Sequence, residues 1–322
     1  MNNERFLVTG AAGCIGAWVL RNLVREGTPV TALDLTTSHH RLPLVMTDEE
    51  IARVQFIHGD VSDFPTVENA LKESGANRII HLAALQLPFC KADPVAGARV
   101  NVVGTVNIFE AAKRLGLKSL VYASSTAVYG LSEEYPEEPL AHDAPLKPRS
   151  HYGVYKQANE GTAAVYFRDD GLASVGLRPY VVYGAGRDQG MTSTPTKAIL
   201  AAASGQPYKI SYGGRYCFQY ADDTAKAFIQ AARANCNGAQ VFNIGGDSVS
   251  TAEVIAAIEQ ADSSARGRIT FDDLPLPFPP EVDNRALVEA IGLLTFTPLT
   301  EGVTETLSIF RRALADGKIK AE

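Results

Sequence analysis

The 322-residue chain has only four cysteines, Cys14, Cys90, Cys217 and Cys236. They are scattered, none at metal-ligand spacing from another, so neither a disulfide framework nor a zinc site is implied. Such usage fits a reducing cytoplasm. Positive charge is not in excess either. Thirty Lys and Arg stand against 36 Asp and Glu, a net charge of −6. That balance offers no electrostatic footing for nucleic acid or an anionic membrane. No apolar run is long enough to span a bilayer. The first strand-like run starts within a few residues of Met1, leaving no room for a signal peptide, and a cytoplasmic protein is expected. There is no internal repeat and no low-complexity tail. His81 and His151 have no ligand spacing, so no metal is expected. What remains is an ordinary composition, 46% hydrophobic and 20% charged, sufficient for one large domain or a domain plus a lobe.

Against these absences, strand-like and helical stretches alternate regularly. Short apolar runs at 6–9, 30–33, 54–58, 78–82, 119–123, 174–177 and 241–244 read as buried parallel strands. Helical patterns lie at 15–26, 67–74, 95–115, 152–169 and 251–260, with Thr66 placed to cap the helix after Pro65. The alternation predicts an α/β protein with a Rossmann-like, doubly wound parallel sheet. After Gly184 the pattern loosens into stretches rich in Gly, Ser, Thr and Tyr. A proline-rich segment follows at 272–280, then a helical stretch at 301–315. The expected division is a core of residues 1–180, with 221–260 returning to it. A smaller C-terminal substrate-binding lobe takes 181–220 and 261–322.

The first strand runs into Thr9-Gly10-Ala11-Ala12-Gly13-Cys14-Ile15-Gly16, and a helical pattern follows. In this context Gly10 makes a tight turn, Gly13 lets the backbone approach a pyrophosphate, and Gly16 lets helix pack on sheet. The helix N-terminus, at Cys14 and Ile15, faces the phosphate charge. Asp34 ends the second strand, about 20 residues on, where a carboxylate accepts both ribose hydroxyls and repels a 2′-phosphate. With Leu35 rather than arginine next, NAD is favoured over NADP. The competing reading of Asp34 is a turn residue opening the polar run 36–41. Asp60 and Val61 after the third strand, and Leu82, Ala83 and Ala84 after the fourth, are further candidate cofactor contacts.

Two features carry chemistry. Tyr152 and Lys156 are four apart and share one helix face. A nearby ammonium is expected to lower the tyrosine pKa and to hold a nicotinamide ribose. Alone, such a pair is usually incidental. The second feature is Ser124-Ser125-Thr126-Ala127-Val128-Tyr129-Gly130, directly after the fifth strand, where a hydroxyl faces the ligand crevice of an open α/β sheet.

Taken in this order, the elements resemble the short-chain dehydrogenase/reductase superfamily, and more narrowly its extended branch, the NAD-dependent epimerase/dehydratase family. The resemblance covers essentially the whole chain. Its TGxxGxxG loop matches residues 9–16, its Ser/Thr before VYG falls on Ser125, and its YxxxK pair falls on Tyr152 and Lys156. Asn101 matches a helix motif with a structural or cofactor-side role, and Pro179 and Tyr180 match the stretch passing the nicotinamide. The resemblance implies Tyr152 as base toward a substrate hydroxyl, Ser125 bonding the reacting oxygen and Lys156 orienting ribose. It also implies a homodimer through a four-helix interface formed by the helices at 95–115 and 152–169.

The chain departs from the family pattern at informative places. Thr126 is followed by Ala127, not by the Asp-Glu of nucleotide-sugar dehydratases, so dehydration is not expected. Val181 stands where nucleotide-sugar epimerases carry asparagine, and Tyr216 where they carry a diphosphate-binding arginine. The expected substrate is therefore a small sugar, sugar acid or other polyhydroxy compound, oxidised by an NAD-dependent dehydrogenase. A sugar or nucleotide-sugar 4-epimerase is the alternative, and a cofactor-bound regulatory protein the third. Candidate substrate contacts are Gln86, Ser125, Thr126, Val181, Arg187 with Gln189, and Arg215 with Tyr216.

Overall fold

Seven parallel strands form the central sheet. They are β1 (Phe6–Thr9), β2 (Val30–Asp34), β3 (Gln55–His58), β4 (Arg78–His81), β5 (Ser119–Ala123), β6 (Ala173–Arg178) and, after three strands outside this sheet, β10 (Ala239–Asn243). Their order is β10-β6-β5-β4-β1-β2-β3. The computed structural model describes residues 4–136 and 138–320.

Neighbouring residues of each strand feed opposite cores, as the two-residue period of a pleated strand requires. Phe6, Val8, Ala32, Ile80 and Val121 pack on one face. Leu7, Leu33, Ile79, Leu120 and Tyr122 pack on the other. Both faces are covered, so β1 is buried throughout and reads as one apolar run. The edge strand β3 is largely exposed.

The sheet reverses direction between β1 and β4. The former feeds the helix Cys14–Arg25 on one side, and the latter leads toward helices on the other. A crevice opens there at the carboxyl ends of the strands, the expected place for a ligand in such a sheet.

Beyond β6 the chain builds β7 (Val181–Tyr183), β8 (Tyr208–Ile210), β9 (Arg215–Tyr220), β11 (Asp247–Ser250) and β12 (Ile269–Phe271). β9 pairs with β7 in parallel and with β11 antiparallel, while β12 pairs with β8. This part shares a continuous core with one face of the central sheet, in which Ile199, Tyr212 and Phe310 join Val8 and Val175.

Two local expectations change. The stretch at 95–115 is helical as expected but not uniformly α. It runs as helix Pro94–Ala98, a π-helical turn Arg99–Val103 and helix Gly104–Arg114. The wide turn carries Asn101, whose Nδ2 donates to the Leu85 carbonyl at 3.0 Å. Nor does Thr66 cap its helix. The helix starts at Phe64, and Asp63 is the cap, accepting from Thr66 N at 3.0 Å and from its hydroxyl at 2.5 Å.

Candidate active site

The glycine cluster folds as a turn closed by Gly13 N donating to the Gly10 carbonyl at 3.0 Å, followed by a helix capped at Gly13. Gly10 has φ 65°, and a Cβ there would stand 2.6 Å from Ala83 N. Only glycine takes that conformation against a neighbouring backbone without strain. The first backbone N–H groups of the helix have no partner within it, and they lie at the positive end of its dipole.

Asp34 lies beside this turn. One carboxylate oxygen accepts from Ala12 N at 2.9 Å, and the other from Thr36 N at 3.0 Å. Each oxygen keeps a second lone pair for a ribose hydroxyl.

A cavity of about 470 Å³ runs from this turn across the strand ends. Gly10, Gly13, Cys14, Ile15 and Gly16 line it at the glycine turn, and Asp34, Asp60 and Val61 beside the ends of β2 and β3. Leu82, Ala83 and Ala84 line its middle, where Ala83 sits over Gly10. Ser125, Thr126, Tyr152, Lys156, Pro179 and Tyr180 line the far end, with Gln86, Arg187 and Gln189. A narrow Gly-lined turn at a helix N-terminus, an acceptor at the end of β2 and a Tyr–Lys pair at the other end fit a dinucleotide laid across the crevice.

Helix His151–Asp170 starts with Ser150 accepting from Gly153 N at 3.1 Å. A Cβ on Gly153 would collide with the Ala127 carbonyl, so glycine lets the helix press onto the loop after β5. That approach brings Tyr152 beside Ser125, and both line the cavity. Lys156 Nζ donates to the Ala123 carbonyl at 2.7 Å and lies 5.6 Å from the centre of the Tyr152 ring.

The electrostatics differ from the sequence expectation. Burial pushes the Tyr152 phenol above its ordinary value, opposed by the neighbouring Ser125 hydroxyl and by the Arg187 guanidinium. Lys156 does not supply the lowering charge. Its own ammonium is brought down to about 8 by burial, and it is aimed at a carbonyl. Burial also pushes the Cys14 thiol up to about 11, so it is not a thiolate near neutrality.

Four sequence candidates are not brought to the cavity. Val181 is completely buried, and its neighbour Val182 lines the cavity instead. One residue along a strand reverses the side, and the sequence could not set the register of β7. Arg215 points away, held by Glu253 Oε2 at 2.7 Å and by the Ser248 carbonyl. Asn101 is buried behind the β4 loop, bonded to Leu85 and Cys90. Tyr216 is buried too, its hydroxyl donating to the Leu276 carbonyl at 3.2 Å and accepting from Leu276 N at 2.5 Å.

The sequence reading passed over Arg41 and Asp188, which line the cavity. Arg41 Nη2 and Nε meet the Asp188 carboxylate at 2.8 and 3.0 Å, and Nη1 donates to the Ala12 carbonyl at 3.1 Å. His40 Nε2 adds a contact to Asp188 at 3.0 Å. The partners are 147 residues apart, so no local pattern announces them.

Known proteins are similar to this chain over nearly their full length. A UDP-glucose 4-epimerase of Mycolicibacterium smegmatis is 32% identical, covering 95% of this chain and 98% of its own. The crystal structure of the Thermus thermophilus UDP-glucose 4-epimerase in complex with NAD is 28% identical. It matches 96% of this chain and 100% of its own with a TM-score of 0.80. A partial-consensus L-threonine 3-dehydrogenase, 21% identical over 96% of this chain and all of its own, has a TM-score of 0.84 and shares the fold. A family model matches residues 6–245, and with these relatives it shows that the chain belongs to the NAD dependent epimerase/dehydratase family of extended short-chain dehydrogenases/reductases.

Proposed function

We propose that this enzyme oxidises a secondary hydroxyl of a small sugar, sugar acid or related polyhydroxy compound, with Tyr152 as the proton-transfer group. NAD, when bound, supplies the hydride acceptor. Gly10, Gly13, Gly16 and the helix start at Cys14 and Ile15 hold its pyrophosphate, and Asp34 its adenosine ribose. Asp60, Val61 and the Leu82–Ala84 backbone flank the adenine side, and Pro179 and Tyr180 the nicotinamide side. Ser125 bonds the reacting oxygen, and Tyr152, once ionised to the phenolate, takes its proton. Lys156 holds the nicotinamide ribose and, through Ala123, the end of β5. Water is excluded by the lobe of 181–220 and 261–322, which closes over the strand ends.

The observation that carries the substrate class is the placement of cations. Arg41, Lys156 and Arg187 are the Lys and Arg residues lining the cavity among the described residues. Arg41 is engaged by Asp188, and Lys156 by Ala123. Arg187 donates to Gln86 Oε1 at 3.3 Å and to Thr192 Oγ1 at 3.1 Å. With Tyr216 buried and Arg215 turned to Glu253, Arg187 is left as the single forked donor at the substrate end among the described residues, fewer than two guanidinium groups clamping a diphosphate would supply. Gln86, Gln189, Thr126 and Arg187 suit hydroxyl and carboxylate oxygens.

A second reading, 4-epimerisation of a sugar or nucleotide sugar, is favoured by the relative from Mycolicibacterium smegmatis. Both readings share the first half-reaction. A panel of free sugars, aldonic and uronic acids and nucleotide sugars separates them. NADH accumulating with substrate supports net oxidation, and product without net NADH supports epimerisation. Tight binding of UDP or dTDP in the substrate end overturns the small-substrate reading.

The protein is further proposed to act as a homodimer in the cytoplasm. Val95 and Val103, on the segment 94–114, and Val154 and Val165, on helix His151–Asp170, are exposed, Val95 by 73%. The opposite faces of the same elements, at Ile108 and Ala163, are buried in the core. Solution mass checks the dimer, and a monomer at micromolar concentration excludes it. Four free cysteines suit a reducing compartment.

A further inference from the structure

Three consecutive residues at the end of β5 face three residues of helix His151–Asp170, spaced four apart, and two of the three are hydrogen-bonded to it. Tyr152 and Ser125 line the cavity together. Lys156 donates to the Ala123 carbonyl at 2.7 Å. Glu160 Oε1 accepts from the Ser124 hydroxyl at 2.5 Å. Positions four apart share one helix face, so one face addresses one strand end.

Glu160 does not line the cavity. It is buried and forms a forked pair with Arg178, the last residue of β6. Nε reaches Oε1 at 2.8 Å, and Nη2 reaches Oε2 at 2.7 Å. Arg178 Nη1 donates to the Tyr129 hydroxyl at 2.6 Å and to the His142 carbonyl at 2.5 Å. The Tyr129 hydroxyl donates onward to Asn243 Oδ1 on β10 at 2.7 Å. The network therefore joins the Tyr–Lys helix to the ends of β5, β6 and β10. Pro179 and Tyr180, which line the cavity, follow Arg178 directly.

Stability alone is a weak explanation for this pair, because buried ion pairs are commonly replaceable by apolar residues without loss. Geometry is the stronger one. A displacement of Ser124 is transmitted through a single peptide unit to Ser125, and proton transfer requires hydrogen-bond reach. We propose that Glu160, oriented by Arg178, is a positioning residue. It sets the Ser125 hydroxyl against the Tyr152 phenol through Ser124. The proposal rests on the reading of Ser125 and Tyr152 as the reacting pair.

The test compares wild type, Ser124→Ala and Glu160→Gln, each saturated with NAD. Ser124→Ala deletes only the hydroxyl that Glu160 holds. Glu160→Gln sets an amide N–H against Arg178, and if it fails to fold, Ser124→Ala decides. Tyrosine labelled with ¹³C at Cζ reports the Tyr152 phenol, its resonance identified by its loss in Tyr152→Phe. NADH affinity comes from fluorescence titration. The expected result is a shifted Tyr152 resonance with a displaced pH titration, and NADH affinity within about twofold of wild type. On any substrate found in the panel, kcat falls by roughly tenfold or more while KM stays within about threefold. A Tyr152 resonance that superposes on that of wild type overturns the proposal, and so does an unchanged kcat. If wild type turns over no substrate in the panel, the functional reading fails, and the resonance still decides the positioning role.

Discussion

Thr9 Oγ1 lies 2.7 Å from His81 Nδ1, and the groups around that contact assign the imidazole tautomer. Thr105 donates its hydroxyl proton to the Asn101 carbonyl at 2.7 Å. Its oxygen, 3.1 Å from His81 Nε2, therefore accepts from Nε2–H. Nδ1 is left as an acceptor for the Thr9 hydroxyl, and Thr9 Oγ1 accepts from Ala83 N at 3.4 Å. A neutral histidine thus ties the end of β4 to the end of β1, directly beneath the glycine turn.

The first prediction concerns pH. Burial, followed by the nearby Lys156 charge, brings His81 down to about 3, against an ordinary 6.5. Between those values the unfolded chain binds the proton and the folded chain does not, so unfolding is favoured as pH falls through this window. The loss approaches about 1.4 kcal/mol per pH unit for one proton. Urea unfolding at pH 7.5, 5.5 and 4.5 checks it. His81→Gln starts less stable at pH 7.5, and its stability falls with a shallower slope below 6.5. Equal slopes for the two proteins would count against a neutral His81.

The second prediction concerns proton transfer. Tyr152→Phe keeps the ring and its packing but removes the acid–base group, a loss of about 10² to 10⁴ in kcat. NADH affinity remains near that of wild type. Turnover on the best substrate of the panel and NADH fluorescence measure the two quantities. Undiminished turnover removes Tyr152 from the mechanism.

The third prediction concerns cofactor choice. Asp34 already accepts from Ala12 and Thr36, and its remaining lone pairs face the cavity. Hydrogen bonds to a charged group contribute about 1.5–3 kcal/mol each, so Asp34→Ala weakens NAD binding by roughly tenfold or more. It also narrows the preference over NADP. Calorimetric titration with both dinucleotides checks this. A wild-type protein that binds NADP as tightly as NAD contradicts the role given to Asp34.

The fourth prediction concerns cofactor release. The forked Arg41–Asp188 contact ties the loop after β2 to the loop after β7, and Arg41 also holds the glycine turn at Ala12. Both loops line the cavity, and parting this clasp is expected to widen the way out for a dinucleotide. Asp188→Asn removes the charge and one forked acceptor, and NADH dissociation, followed by stopped-flow fluorescence, accelerates several-fold. A rate equal to that of wild type shows that the cofactor leaves by another path.

Much of the cofactor half was legible because its information is local. A short apolar strand, a glycine cluster, a helix start and an acidic strand end lie within the first 34 residues. Their geometry follows from neighbours along the chain. The same holds for Tyr152 and Lys156, whose common face needs only the helical period. Helix boundaries shifted where capping depended on one hydrogen bond, as at Asp63, and the continuous helix expected at 95–115 contains a π-helical turn at Arg99–Val103.

The substrate end was decided by tertiary structure. Val182 rather than Val181 faces the cavity because β7 takes its register from β9, far along the chain. Arg215 is turned outward by Glu253, 38 residues on. Arg187 meets Gln86 across 101 residues, and Glu160 meets Ser124 across 36. The sequence by itself determined that a parallel α/β sheet would carry a dinucleotide cradle and a Tyr–Lys helix, because strand and helix periods and glycine turns are properties of neighbouring residues. Which side chains meet in the crevice, and which charges are left to greet a substrate, were decided only when packing brought distant segments into contact.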